Sequence, residues 1–250
     1  MSLVQELYEP HVLPARARIP TDAVMHRLTA PGLEPHVVER FFIQYHALGV
    51  YMAGPLEGWL RRAGQRCLQQ GLDTLGKGLL AHARQESHQH EQLADDTRQL
   101  VRRWNARRPR PLHAERLLTQ YPTDTMRAWR ASVELALAHE LPGAGLVPLY
   151  EWTQLTQTVG PHLLALVARV LGREALEGLG YLREHSQLDT ARAHTQARLM
   201  EELVRTMPEN TPALGELGGE AIALGLHFLE DCLQSAEAAL GSPPPDTAAA

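Results

Sequence analysis

The chain has 250 residues, of which 44% are hydrophobic and 21% charged, with a net charge of -5 and a pI near 6.2. That balance argues against a globally basic nucleic-acid binder, and no apolar run reaches the ~18 residues of a membrane span. Cys67 and Cys232 lie far apart with no CxxC. They offer no disulfide framework, and no charged leader runs into an apolar stretch, so a cytoplasmic protein is expected.

No Ser/Gly-rich linker divides the chain, so one helical domain is expected over residues 34–240. Residues 1–33 read as irregular, punctuated by Pro10, Pro14, Pro20 and Pro31, with a short helix around Thr21–Leu28. Glu34–Arg62 carries Val37, Val38, Phe41, Phe42, Tyr45, Leu48, Tyr51 and Met52 at three- and four-residue steps, the stripe of a buried helix, with a break or kink at Gly54-Pro55 and an end at Gly64. Leu72–Trp104 reads as a second long helix. Its middle, His82 to Asp96, is polar, and His82, Glu86 and His90 follow one another at four-residue steps, whereas His88 and Glu91 fall on other faces. The arginine run Arg102, Arg103, Arg107, Arg108, Arg110 reads as a solvated helix end and loop.

A short helix is expected at Leu112–Gln120. Another spans Thr125–Glu140 behind an N-cap in Tyr121-Pro122-Thr123-Asp124 and is broken by Pro142-Gly143. Ala144–Val159 continues past a kink at Gly160-Pro161 to Leu171-Gly172. Arg173–Met207 reads as one helix, with His185 and Asp189 one turn apart, and a last helix runs from about Glu220 to Leu240. The tail at 241–250, GSPPPDTAAA, has nothing to bury and is expected to be disordered. No stretch alternates with a period of two over β-branched residues, so the fold class is all-α.

Three of these helices carry donors suited to a metal. Positions four apart on a helix differ by only about 40°, so Glu86 with His90, and His185 with Asp189, each present two ligands on one face. His82 stands one turn before Glu86, and Glu151 follows Tyr150 on a further helix. Carboxylates and imidazoles projecting from facing helices build metal sites in bundle cores. A nitrogen and oxygen set without thiolate suits iron or manganese, and zinc also accepts it. Each piece alone also reads as an ordinary surface pair.

In these residues the chain resembles the haem-oxygenase-like diiron oxidases and oxygenases, seven-helix proteins of about this length that bind no haem. Glu86 and His90 resemble the family's first Glu and His, Glu151 after Tyr150 its lone Glu, and His185 with Asp189 the start of its last motif, His, Asp four on and His three further. The resemblance spans roughly Val37 to Leu203 and is one of pattern more than of residue-by-residue likeness. It implies a single seven-helix haem-oxygenase-like bundle. It also implies one iron at Glu86, His90 and His185 and a second at Glu151, Asp189 and a final His.

There are two departures. The first pair has an unusual spacing, and His82 or His88 could replace His90. The final His position is Arg192, which stays protonated and offers no lone pair to a metal. His194 lies on the opposite side of the helix from His185. Arg192 would instead pair with Asp189 or Glu151, or grip a substrate carboxylate.

The expected function is a non-haem iron-dependent oxidase or oxygenase, holding one or two ions and acting with dioxygen on a small organic, carboxylate-bearing substrate. The alternative is a metal-free enzyme or a binding protein on the same fold, as in the thiaminase-type hydrolases and the quinone-cofactor synthase that resemble this family. A His/Arg pocket from His82, His88, His90 and Arg192 is compatible with that form. Neither nucleic acid nor membrane is expected as a partner, and a homodimer is the default assembly.

Overall fold

A computed structural model of the chain describes residues 1–187 and 191–241. The α-helices are α1 (Glu9–Arg18), α2 (Ala23–Thr29), α3 (Pro35–Ala53), α4 (Leu56–Gln69), α5 (Asp73–Gln85), α6 (Gln89–Arg107), α7 (Ala114–Leu118), α8 (Asp124–Ala138), α9 (Leu146–Val170), α10 (Gly180–His185), α11 (Ala191–Thr206) and α12 (Thr211–Gly241). Among the described residues there is no strand, and the all-α expectation holds. Helices outnumber the expected seven because expected long helices are broken and the N-terminal segment is itself helical.

Residues 1–33 are not irregular. A π-helical turn at Val4–Tyr8 leads into α1, and a 3-10 turn at Ile19–Thr21 leads into α2. Pro10 sits at the start of α1, where its missing N–H is not needed. Asp22 caps α2 by accepting from the Val24 amide. Tyr8, Val12 and Leu28 are fully buried, so Pro10, Pro14 and Pro20, which read as loop punctuation, lie in helical turns held by burial, while Pro31 stands in the turn before α3. The carboxylate of Glu201 on α11 accepts from the Leu3 and Val4 amides and fastens the segment's first turn.

The chain breaks at Gly54-Pro55 as its prolines predict, but Gly64 does not end a helix. It lies inside α4, where an added Cβ would stand 3.0 Å from the Gly76 carbonyl oxygen. The glycine lets α4 and α5 approach closely, and the turn between them uses Gly71 at a φ of 77°.

Leu72–Trp104 is not continuous. It stops at Gln85 and restarts at Gln89, leaving Glu86–His88 as a non-helical corner. Arg173–Met207 is likewise divided into a 3-10 segment at Arg173–Gly178, α10 and α11. In contrast, α9 runs through Pro161 without ending. The last helix begins earlier than expected, at Thr211, and packs against α1, α3, α8 and α9. The expected disordered tail lies outside the described residues from residue 242 onward. Phe41, Phe42, Ile43, Tyr45, Trp129, Leu155, Phe228 and Leu233 are buried in the core between these helices.

Candidate functional site

The two corners that interrupt the expected long helices meet at a buried cluster. Glu86, 1% exposed, follows the last residue of α5. The Nε2 atom of His82, one turn earlier, stands 3.4 Å from Glu86 Oε1, and Arg192 Nε on the first turn of α11 stands 2.8 Å from the same oxygen. That last contact is an ion pair without hydrogen-bond alignment, so both Glu86 oxygens lack a hydrogen-bond donor. His185 closes α10. Its Nδ1 pairs with the Tyr181 carbonyl oxygen at 2.7 Å, and its ring stacks on Tyr181 at 3.8 Å. Since a carbonyl only accepts, Nδ1 carries the proton and the Nε2 lone pair is free. The Nε2 atoms of His82 and His185 are both buried without a hydrogen-bond partner.

Burial sets the protonation of the cluster. It pushes the Glu86 carboxyl up to about 7, against the pull of Arg192, with Glu184 adding a smaller push. Burial, with Arg192 helping, takes His82 down to about 4 and His185 down to about 3. Near neutral pH both imidazoles are therefore uncharged, and the Glu86 carboxyl lies near its own midpoint.

Beside the cluster lies a partly open pocket with a cavity volume of about 40 Å³. Tyr45, Trp129, Trp152, Tyr181 and Phe228 supply aromatic walls, and Gln89, Thr153, Arg192 and Gln196 supply polar groups. The Trp129 and Trp152 rings lie 5.2 Å apart, and Trp152 and Phe228 5.6 Å apart. The Gln196 Oε1 atom is buried without a partner. Arg192 and Gln89 also line an open recess with Gln85, His88, Gln92, Glu184 and His185, so Arg192 stands between the aromatic cavity and the surface.

Of the residues singled out from the sequence, Glu86, His82, His185 and Arg192 come together here. His90 lies half-buried on the first turn of α6, and its neighbour Gln89 takes the cavity wall because the chain turns at Glu86–His88. His88 is exposed and pairs with Glu91. Glu151 is fully buried but engaged elsewhere. Its carboxylate accepts from Tyr8 Oη at 2.9 Å and from Arg16 Nε and Nη2 at 3.0 and 2.7 Å. Asp189 lies outside the described residues.

The chain's letters gave little warning of Gln89, Gln196, Trp152 and Tyr181. Nor did they mark Asp96, which accepts from the Tyr181 amide at 2.7 Å and stands 3.5 Å from His46 Nε2. Asp96 thereby links α3, α6 and α10.

The described residues do not fit a two-iron centre. Glu151 is saturated by Arg16 and Tyr8, and a guanidinium stands against Glu86. Among the described residues no group of three or more His, Cys, Asp or Glu side chains is arranged to hold a metal ion. His82 Nε2 and Arg192 Nε both approach the same Glu86 oxygen.

The fold is haem-oxygenase-like. A domain of unknown function with that fold from Shewanella denitrificans OS217 superposes with a TM-score of 0.72 at 13% identity, over 98% of this chain and 97% of that one. A TenA homologue from P. horikoshii OT3 gives 0.65 at 15% identity, over 94% and 100%. A TenA homologue from Pseudomonas syringae pv. tomato DC3000 gives 0.66 at 15% identity, over 93% of each chain. No protein-family model matches the chain, and no curated protein matches it. Among the described residues no helix is long and apolar enough to cross a membrane.

Proposed function

We propose that the chain is a small-molecule enzyme on the haem-oxygenase-like fold that works by proton transfer without a metal. A flat, mostly apolar substrate sits in the aromatic cavity, and Glu86 acts as its acid and base. The observation that carries this reading is the 2.8 Å approach of Arg192 Nε, from a side chain that lines that cavity, to Glu86 Oε1 behind it. A guanidinium in that place compensates the buried carboxylate, which a metal cation would otherwise do.

The residues divide the work. Trp152, Phe228 and Tyr45 hold the apolar body of the substrate by contact and exclude water. Arg192, exposed to both the cavity and the recess, draws in the substrate's carboxylate and orients it. Glu86 gives or takes the proton, since a carboxyl near 7 is matched to neutral pH. The neutral imidazole of His82 stands 3.4 Å from Glu86 Oε1, where its Nε2 lone pair accepts a hydrogen bond from the protonated carboxyl.

The TenA homologues support the fold on which this site is built and share little sequence with the chain. A titration of 2-naphthoate against the intrinsic tryptophan fluorescence tests the reading. Trp152 quenching should saturate, and Arg192→Ala should weaken binding by about tenfold, the loss of one charge-assisted contact. Binding indifferent to Arg192 would refute it.

A second reading is favoured by one observation, the buried Nε2 atoms of His82 and His185, which have no hydrogen-bond partner. Two imidazoles and one carboxylate are the set that holds iron in many mononuclear oxygenases. Iron held there, with manganese as a substitute, would supply dioxygen chemistry. The Nδ1 contacts of His82 with Gln85 and of His185 with Tyr181 would fix the two rings for it.

A further inference from the structure

Tyr181 is held at both of its backbone polar groups. Its amide is the second of α10, one that the helix itself leaves without an acceptor, and it donates to Asp96 Oδ2 on α6 at 2.7 Å. Its carbonyl oxygen accepts from His185 Nδ1 at 2.7 Å, and its ring stacks on the His185 imidazole with the centroids 3.8 Å apart. Asp96 is 7% exposed, so its contact with the amide is made away from water.

The carboxylate is itself fixed in place. His46 on α3 is fully buried, pairs Nδ1 with the Phe42 carbonyl oxygen at 2.7 Å and brings Nε2 to 3.5 Å from the same Asp96 oxygen. An added Cβ at Gly180 would stand 3.2 Å from Asp96 Oδ1, so the glycine lets the carboxylate come close to the start of α10. A helix of six residues has little stability of its own, and α10 takes its place from such contacts. The three helices that meet at Asp96 each supply a wall of the aromatic pocket. Tyr45, beside His46, comes from α3, Gln89 and Leu93 from α6, and Tyr181 from α10, whereas Asp96 itself does not line the pocket.

We propose that Asp96 is a positioning residue. Through the Tyr181 amide it sets where α10 holds the Tyr181 ring in the pocket wall and the His185 imidazole stacked upon it. What the placement serves rests on the reading of the pocket as the substrate site, and the placement itself does not.

Histidine 15N NMR without ligand tests the placement, with the His185 signals assigned by their loss in His185→Gln. A parallel 2-naphthoate titration tests what it serves. Wild-type His185 should carry its proton on Nδ1 and leave Nε2 bare, as the bond to the Tyr181 carbonyl requires. Asp96→Asn keeps an acceptor for the Tyr181 amide and should preserve that pattern. Asp96→Ala removes the acceptor, and the two nitrogen signals should draw together as both tautomers become populated. It should also weaken 2-naphthoate by about tenfold, the loss of one hydrogen bond's worth of placement. Gly180→Ala, which crowds Asp96 Oδ1 without removing it, should shift the signals in the same direction by less, and it serves where Asp96→Ala does not fold. His185 signals unmoved in both Asp96→Ala and Gly180→Ala, or displaced as far by Asn as by Ala, would overturn the proposal. Wild type that does not bind 2-naphthoate would remove the substrate reading alone, because the His185 spectra decide the placement without it.

Discussion

Arg192 Nε lies 2.8 Å from Glu86 Oε1, so the helix corner after α5 is joined to the first turn of α11 by a charge pair whose arginine lines the aromatic cavity. Breaking a buried pair by removing one partner costs about 3–5 kcal/mol. Arg192 is one-fifth exposed, so water offsets part of that loss, and Arg192→Ala should destabilise the fold by roughly 2 kcal/mol at pH 8. At pH 5 the carboxyl is protonated and needs no cation, so the cost should shrink. Urea denaturation at the two pH values checks this, and an equal cost at both would contradict the pairing.

The cluster's groups oppose one another in their effect on stability. Glu86 is raised from 4.5 to about 7. Its contribution is fully present below the unfolded value and is lost as pH rises through 7, in total roughly 3 kcal/mol. His82 and His185 are lowered from 6.5 to about 4 and about 3. Their contributions are present above 6.5 and are lost as pH falls through those values. Glu86→Gln should therefore make the loss of stability from pH 7 to 4.5 steeper, and His185→Gln should make the acid limb shallower. Stability–pH profiles of the two variants parallel to wild type would refute the assignment.

Glu151 is held by two donors from α1 and one phenol. Glu151→Gln should cost about 3 kcal/mol, because it leaves Arg16 without its bidentate partner. Tyr8→Phe should cost about 1 kcal/mol. Neither should change 2-naphthoate affinity more than marginally, since the carboxylate faces the N-terminal helix. Denaturation and ligand titration of the same samples separate the two effects.

Gly160 marks the close crossing of α9 with the end of α10. A Cβ there would stand 1.9 Å from Ser186 Oγ and 2.7 Å from its Cβ. Gly160→Ala should cost about 1–3 kcal/mol by overpacking, partly offset by about 1 kcal/mol of helix propensity. Adding Ser186→Gly should recover most of the loss. A thermal-denaturation cycle reads the coupling, and strictly additive effects would contradict the contact.

Much of the fold is legible in the sequence because burial has a period. The stripe from Val37 to Met52 and the run from Leu155 to Val167 announce helices, and the Thr123 cap and the Pro142-Gly143 break fall where their chemistry requires. The corners at Glu86–His88 and after His185 are less legible. Neither holds a proline or glycine, and helical periodicity runs through both without interruption. The candidate site inherits that error. On an unbroken helix His90 would share the face of Glu86, whereas the corner turns Gln89 inward. The chain also could not say that Glu151 answers to Arg16 and Tyr8, partners more than a hundred positions earlier. His82, Glu86, His185 and Arg192 were visible as residue types, and their meeting depends on the corners.

Anaerobic Fe(II) titration followed by metal analysis, on wild type, His185→Ala and Arg192→His, tests the central claim most directly. If Arg192 takes the place of a cation at Glu86, wild type should retain well under one equivalent of iron after desalting. His185→Ala should then retain no less than wild type, and Arg192→His, which exchanges the guanidinium for an imidazole, should gain iron. Wild-type protein that keeps one or two equivalents and loses them with His185→Ala would contradict the metal-free account.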